Sequence, residues 1–265
     1  MNTFADVYNE VLQHILWDGV PNDPRGLRVL EAPQVVGVKW DIGPTVETIA
    51  NRTSEVYLAA ELMWYYEARD DAAAISKYAS HWDKIKNTDG TVNSAYGQRL
   101  FRPQLFGLPS AWMVAYARLK DDPKTRRAWM PILNPMNVIS DKDVPCTIGV
   151  SFKLDDGGLH TTAVMRSQDI WWGLPYDAPF FASLGRNMAY LIGVPPGECE
   201  VVCLNMHLYE KDRERATTLV HEGIIPGEAW PAQTHPWLDE YGTTTEAYWK
   251  GDALAERCRS VSGWS

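Results

Sequence analysis

The stretch that most constrains this 265-residue chain is an alternating run that doubles back on itself. Ile148, Val150, Phe152 and Leu154 alternate with polar or small residues, Asp155-Asp156-Gly157-Gly158 interrupts them, and Leu159, Thr161, Ala163 and Met165 alternate on the return. Successive strand side chains point to opposite faces, so this pattern predicts a hairpin with one buried face, closed by an Asp/Gly turn. A buried sheet face needs a covering layer.

The helical patterns supply that layer. Phe4, Val7, Tyr8, Val11, Leu12 and Ile15 recur at helical spacing, so residues 4–17 are predicted as an amphipathic helix ended by Asp18-Gly19. Residues 53–68 predict a second helix, capped by Thr53 or Ser54, with Glu61 one turn from both Tyr57 and Trp64. Residues 107–120 and 179–192 predict two more, and His81 to Gly97 reads as loop-rich. Val35 to Trp40 predicts a strand. Val201 to Tyr209 predicts another, with Cys203, Asn205, His207 and Tyr209 on one face. The tail from about Ala216 is less informative. With no repeat and no low-complexity linker, residues 1–265 are expected to form one α/β (α+β) domain, helices packed on a substantial mixed sheet.

The chemistry collects around the hairpin. Pro145-Cys146-Thr147 supplies a thiol before it, and Arg166-Ser167-Gln168-Asp169 supplies a cation and polar groups after it. Gly173-Leu174-Pro175-Tyr176-Asp177 adds a carboxylate on a turn into a helix. A nucleophile, an anion clamp and a hydrogen-bonding carboxylate so close in sequence point to covalent chemistry on a small anionic substrate. A lone cysteine in an apolar run is more often a small buried hydrophobe, and only its neighbours argue otherwise. Asp177 has a bland reading too, as the cap of a helix beginning near Pro179.

Composition narrows the partners. A net charge of -9 argues against a nucleic-acid polymer but not against a single nucleotide, which needs only local arginines such as Arg126-Arg127. No apolar run has the length of a membrane span and no secretory signal is visible, so a cytoplasmic location is expected, host cytoplasm for a viral chain. None of Cys146, Cys199, Cys203 and Cys258 forms a Cys-x-x-Cys pair, so no metal site is expected, and Cys199 and Cys203 read as core.

Taken in order, these segments resemble the thymidylate synthase family over nearly the whole chain. They are Glu61-Leu62-Met63-Trp64, Trp82-Asp83 with Ser94-Ala95-Tyr96-Gly97, Arg126-Arg127 with Asn134-Pro135, Pro145-Cys146, Met165-Arg166-Ser167-Gln168-Asp169, Gly173 to Asp177, and His207-Leu208-Tyr209. The resemblance implies a homodimer built on a large mixed sheet that packs against its mate. It also implies a pyrimidine nucleoside 5′-monophosphate substrate and 5,10-methylenetetrahydrofolate as donor. By the same resemblance Cys146 adds to C6 of the pyrimidine. Arg166, with Ser167, binds phosphate and helps hold the thiolate. Arg126 and Arg127 reach the partner's site. His207 and Tyr209 hold the sugar hydroxyl, Glu61 and Tyr96 handle protons, and Trp82, Asp169 and Tyr176 face the folate. Arg25 takes the mobile-loop phosphate role, with Arg28 as the alternative.

Departures from the family pattern sharpen the reading. Where the synthases carry an Asn that reads the uracil edge, this chain has Asp177. Cytosine offers an N4 donor and an N3 acceptor, which suit a carboxyl that shares a proton, so Asp177 points to cytidylate, dCMP first. Thr147 follows the nucleophile where His is usual, Ile85 replaces a common Trp, and the ending Val261 to Ser265 lacks the Pro-containing apolar tail. A smaller Ile85 and an altered tail suit admission of water, so the chain resembles the bacteriophage deoxycytidylate hydroxymethylases within the family. Reductive methylation, giving 5-methyl-dCMP or dTMP with dihydrofolate, is the alternative. A non-catalytic nucleotide- or RNA-binding relative would be expected to lose the thiol or the arginines, and this chain keeps them.

Overall fold

The hairpin forms as strands Thr147–Asp155 and Gly158–Met165, and Phe152 faces Thr161 across it. A bulge between Thr147 and Gly149 departs from strict alternation. It turns Thr147, rather than Ile148, to the buried side, directly after Cys146. The structure is a computed structural model that describes residues 3–43, 45–46, 48–103, 107–139, 142–227, 230–231, 233–250 and 252–264.

The hairpin is the centre of a five-stranded sheet in the order Val36–Asp41, Pro196–Cys203, Gly158–Met165, Thr147–Asp155, Trp129–Pro131. Gly158–Met165 and Pro196–Cys203 run parallel and the other neighbours antiparallel, so the sheet is mixed. Both parallel strands then cross into a second sheet. There Gln168–Asp169 pairs in parallel with Met206–Tyr209, which pairs in turn with Val29–Glu31. The expected single strand Val201–Tyr209 is therefore two strands, interrupted at Leu204-Asn205. Cys203 belongs to one sheet, His207 and Tyr209 to the other.

One face of the five-stranded sheet is covered by helix Leu174–Ile192, which lies so close that a Cβ at Gly185 would collide with Thr161. This helix begins five residues before Pro179, correcting the expected start there. Pro175 occupies its first turn, where a missing N–H costs nothing. Phe180, Phe181, Leu184 and Met188 from it enter the core. The predicted first helix forms as Phe4–Asp18 with a Thr3/Asp6 capping box, a device contributing about 1 kcal/mol. The second is Glu55–Tyr66, capped by Ser54, whose hydroxyl accepts from the Tyr57 N–H. The helix expected at 107–120 spans Ala111–Asp121, and the segment read as loop-rich contains short helices His81–Ile85 and Tyr96–Phe101.

The tail is more ordered than its sequence suggests. Asp252 caps helix Ala253–Ser262, which packs along Glu55–Tyr66. The buried Trp264 donates from Nε1 to Glu67 Oε1 at 2.9 Å, anchoring the tail beyond the C-terminal end of Glu55–Tyr66. Ser265 lies outside the described residues. Among the described residues no helix is long and apolar enough to cross a membrane.

Candidate active site

The two parallel strands leave the main sheet at their C-terminal ends, and the polar residues gather at that junction. Strand ends of this kind present side chains beside a crevice while the sheet fixes the backbone. Cys146 lies next to them because its carbonyl accepts from the Arg166 N–H at 2.9 Å. The Arg166 side chain returns to the same place. Nε donates to the Pro145 carbonyl at 3.1 Å, Nη2 donates to the Val144 carbonyl at 2.6 Å, and Nη2 lies 3.7 Å from Cys146 Sγ.

This guanidinium favours a thiolate, yet burial wins. The Cys146 thiol is pushed up to about 11 by desolvation, with Arg166 opposing and the carboxylates of Asp177, Asp143 and Asp169 reinforcing the rise. Arg166 acts in the direction of a thiolate, against loss of solvent and three neighbouring carboxylates.

Glu61 is buried on the inner face of its helix, not at the edge of the stripe. Tyr57 OH, one turn earlier, donates to Glu61 Oε1 at 2.6 Å, and Trp82 Nε1 donates to the same Tyr57 oxygen at 3.1 Å. Burial and the Asp177 charge raise Glu61 to about 8, against the hydrogen bonds from Tyr57 and Tyr65. Asp177 sits inside the first turn of Leu174–Ile192, whose N-cap is Gly173, so it does not cap that helix. Burial raises it to about 7, against the hydrogen bond that Gln168 Nε2 donates to Oδ2 at 2.8 Å. Two buried carboxyls near neutrality, in electrostatic contact with each other, and one of them, Asp177, with the Cys146 thiol, can exchange protons with a bound ring.

The remaining predicted residues divide clearly. Tyr96 is buried near Cys146 and Asp177, and its hydroxyl is raised by desolvation and by their charges. Ser94 holds that segment against the nucleophile loop: its N–H donates to Asp143 Oδ2 at 2.7 Å and its hydroxyl donates to Asp143 Oδ1. Ser167 Oγ lies 3.5 Å from His207 Nδ1, and the His207 and Tyr209 rings meet edge-on at 5.2 Å. Asp169 Oδ1 accepts from the backbone N–H groups of Trp171 and Trp172. Tyr176 OH accepts from the Ser54 N–H, tying the two site helices together. Arg25 is exposed in a left-handed conformation (φ 56°); burial and the Asp169 charge raise Tyr209, and the Arg25 charge opposes them. Arg126 and Arg127 are exposed just ahead of the edge strand. Arg28 is also exposed, and its carbonyl accepts from Glu210 N–H.

Several contributors escaped sequence reading. Tyr57 was detectable from its i, i+4 spacing to Glu61, and Gln168 from its place in Arg166-Ser167-Gln168-Asp169. Asp143 and Arg52 carried no local signal. Arg52 stacks 4.6 Å from both the Trp171 and Trp172 rings, and Trp172 is exposed, forming an aromatic shelf with a cation.

The thymidylate synthase family profile matches residues 6–226, most of the chain and every predicted site residue. The chain belongs to the thymidylate synthase family. It is 27% identical over 221 residues to a deoxyuridylate hydroxymethyltransferase of Bacillus phage SP01, covering 78% of this chain and 57% of that protein. This chain thus spans little more than half the length of that relative. It is 26% identical over 236 residues to thymidylate synthase 1 of Bacillus spizizenii, covering 80% and 81% of the two chains. Its fold matches the thermostable thymidylate synthase A from Bacillus subtilis with a TM-score of 0.74 at 22% identity, covering 92% of each chain. Family members are enzymes that act on nucleoside monophosphates with a methylenetetrahydrofolate-type folate and are usually dimeric.

Proposed function

We propose that this family member is a cytidylate 5-hydroxymethyltransferase, acting on dCMP with 5,10-methylenetetrahydrofolate. The observation that carries the reading is Asp177. It is a buried carboxyl at the base-reading position, raised to about 7 and so able to donate as well as accept at neutral pH. Cytosine needs both, an acceptor for N4–H and a shared proton at N3.

In this mechanism Cys146 Sγ forms a bond to C6 of the ring and electron density moves to C5. Asp177 supplies the proton that neutralises N3. Arg166, already aimed at Cys146, binds the substrate phosphate, which brings a dianion to the guanidinium and fixes the ring over the thiol. Arg25 adds a second phosphate contact, and Arg126 and Arg127 reach the phosphate in the partner subunit's site. His207 and Tyr209 hold the 3′-hydroxyl. Tyr96 takes the C5 proton, and Glu61, held by Tyr57, passes protons to and from the C4 side. Trp82, Asp169, Tyr176 and the Trp172–Arg52 shelf would hold the folate, which supplies one carbon at the oxidation level of formaldehyde. Water adds to the transferred carbon as the bond between Cys146 Sγ and C6 breaks and frees the thiol, so no hydride is consumed and the folate product is tetrahydrofolate.

The phage SP01 relative favours a second reading in which the same chemistry runs on dUMP. Asp177→Asn separates the two. An amide suits uracil's N3–H and O4, so the variant should turn toward dUMP by about tenfold or more in relative kcat/KM, the scale of one base-edge contact. Unchanged cytidylate preference in the variant would remove the basis for the proposal.

A further inference from the structure

Asp177 does not stand alone at the base-reading position. Gln168, 2% exposed, donates from Nε2 to Asp177 Oδ2 at 2.8 Å. Its backbone is fixed, because its N–H donates to the Asn205 carbonyl at 3.0 Å and its strand pairs with Met206–Tyr209. Its amide is held from the other side by Gly173, where a Cβ would come within 2.7 Å of Gln168 Oε1 and 3.1 Å of Cδ. The amide is thus boxed between the Gly173 backbone and the Asp177 carboxyl, with its N–H end on Oδ2.

A carboxyl has two places for one proton, and they match different bases. With the proton on Oδ1, that oxygen donates to cytosine N3 while Oδ2 accepts from the N4 amino group. With the proton on Oδ2, that oxygen donates to uracil O4 while Oδ1 accepts from N3–H. An aspartic acid at this position therefore does not by itself reject uracil. A donor already directed at Oδ2 tips the balance, because the Gln168 N–H is accepted better by a carbonyl or carboxylate oxygen than by the hydroxyl oxygen of the acid, which favours the proton on Oδ1.

We propose that Gln168 is the positioning residue that gives Asp177 its base preference: by donating to Oδ2 it confines the carboxyl proton to Oδ1, the form that pairs with cytosine and not with uracil. The inference rests on the reading of Asp177 as the base reader.

The test compares kcat/KM for dCMP and dUMP in the wild type, Gln168→Met and Asp177→Asn. Methionine keeps the length and removes the donor. Gln168→Met should raise the dUMP-to-dCMP ratio by about tenfold or more, the scale of one hydrogen bond to a carboxyl. An unchanged or lowered ratio overturns the proposal. If Asp177→Asn shifts the ratio and Gln168→Met does not, the role of Gln168 falls while that of Asp177 stands. If Asp177→Asn leaves the ratio unchanged, the parent reading falls, and this inference with it.

Should Gln168→Met fail to fold, the native protein gives the answer by calorimetric titration with each nucleotide across pH. Asp177 is in electrostatic contact with Glu61, Tyr57, Tyr65, Tyr96, Cys146 and Cys203. Their titrations and that of the phosphate are common to both ligands and cancel in the ratio of affinities. The dCMP affinity should gain on that of dUMP as pH falls through about 7, where Asp177 takes up its proton. Parallel gains for both nucleotides overturn the proposal.

Discussion

Arg166 Nη2 lies 3.7 Å from Cys146 Sγ while the same side chain is anchored by the carbonyls of Val144 and Pro145. The cation is therefore in place before any ligand arrives. Burial still holds the thiol at about 11, so the free protein carries little thiolate at neutral pH. Alkylation by iodoacetamide, followed by mass spectrometry at Cys146, should accelerate steadily with pH toward that value. Arg166→Gln removes the main force lowering the thiol and should slow alkylation at a given pH by about tenfold, the effect of one pKa unit. A variant that reacts as fast as wild type would show that Arg166 does not act on the sulfur.

Glu61 gives a stability prediction with a definite sign. Its folded-state value is raised from 4.5 to about 8, so the fold favours the protonated acid. Its contribution is fully present below about 4.5 and is lost as pH rises through about 8. Glu61→Gln keeps the neutral shape. It should be more stable than wild type above that range, by on the order of a few kcal/mol, and nearly equal to it in acid. The same variant should lose about 100-fold or more in turnover, the usual scale of general acid–base catalysis. Denaturation at two pH values and a turnover assay check both halves.

Tyr57 links Glu61 to Trp82, with its hydroxyl donating to one and accepting from the other. Tyr57→Phe strands the buried Trp82 N–H and removes a bond that lowers Glu61. The expected cost is about 1–3 kcal/mol of stability. Glu61 should also titrate higher than in wild type, which carbon-13 labelling of its carboxyl would record.

The helix Phe4–Asp18, the helix Glu55–Tyr66 and the central hairpin were legible because their apolar residues repeat at 3.6 or 2 over long stretches. Cys146, Arg166 and Asp177 stood out as candidates for chemistry because they flank that hairpin and open the helix after it. The break at Leu204-Asn205 was not, because alternation continues through it and only the pairing partners change. The true start of Leu174–Ile192 was hidden by Pro175 and Pro179. One suits a first turn, and the other sits inside the helix. The Ser94–Asp143 contact joins residues 49 positions apart, and no local pattern records such a pair.

Arg126 and Arg127, both exposed, give a test of shared sites. If they complete the partner's phosphate site, an Arg126→Ala/Arg127→Ala chain and a Cys146→Ser chain should each be inactive. Mixed and allowed to exchange subunits, they should recover about a quarter of wild-type activity, since half the dimers then hold one intact site. No recovery, with exchange verified by native mass spectrometry, would place these arginines outside the site.

The most direct measurement supplies the purified protein with 5,10-methylenetetrahydrofolate and, separately, dCMP, CMP and dUMP, following nucleotide mass and dihydrofolate absorbance together. The account predicts one added hydroxymethyl group on dCMP with no dihydrofolate formed. A methyl group with stoichiometric dihydrofolate would contradict water capture, and turnover of dUMP alone would contradict the role given to Asp177.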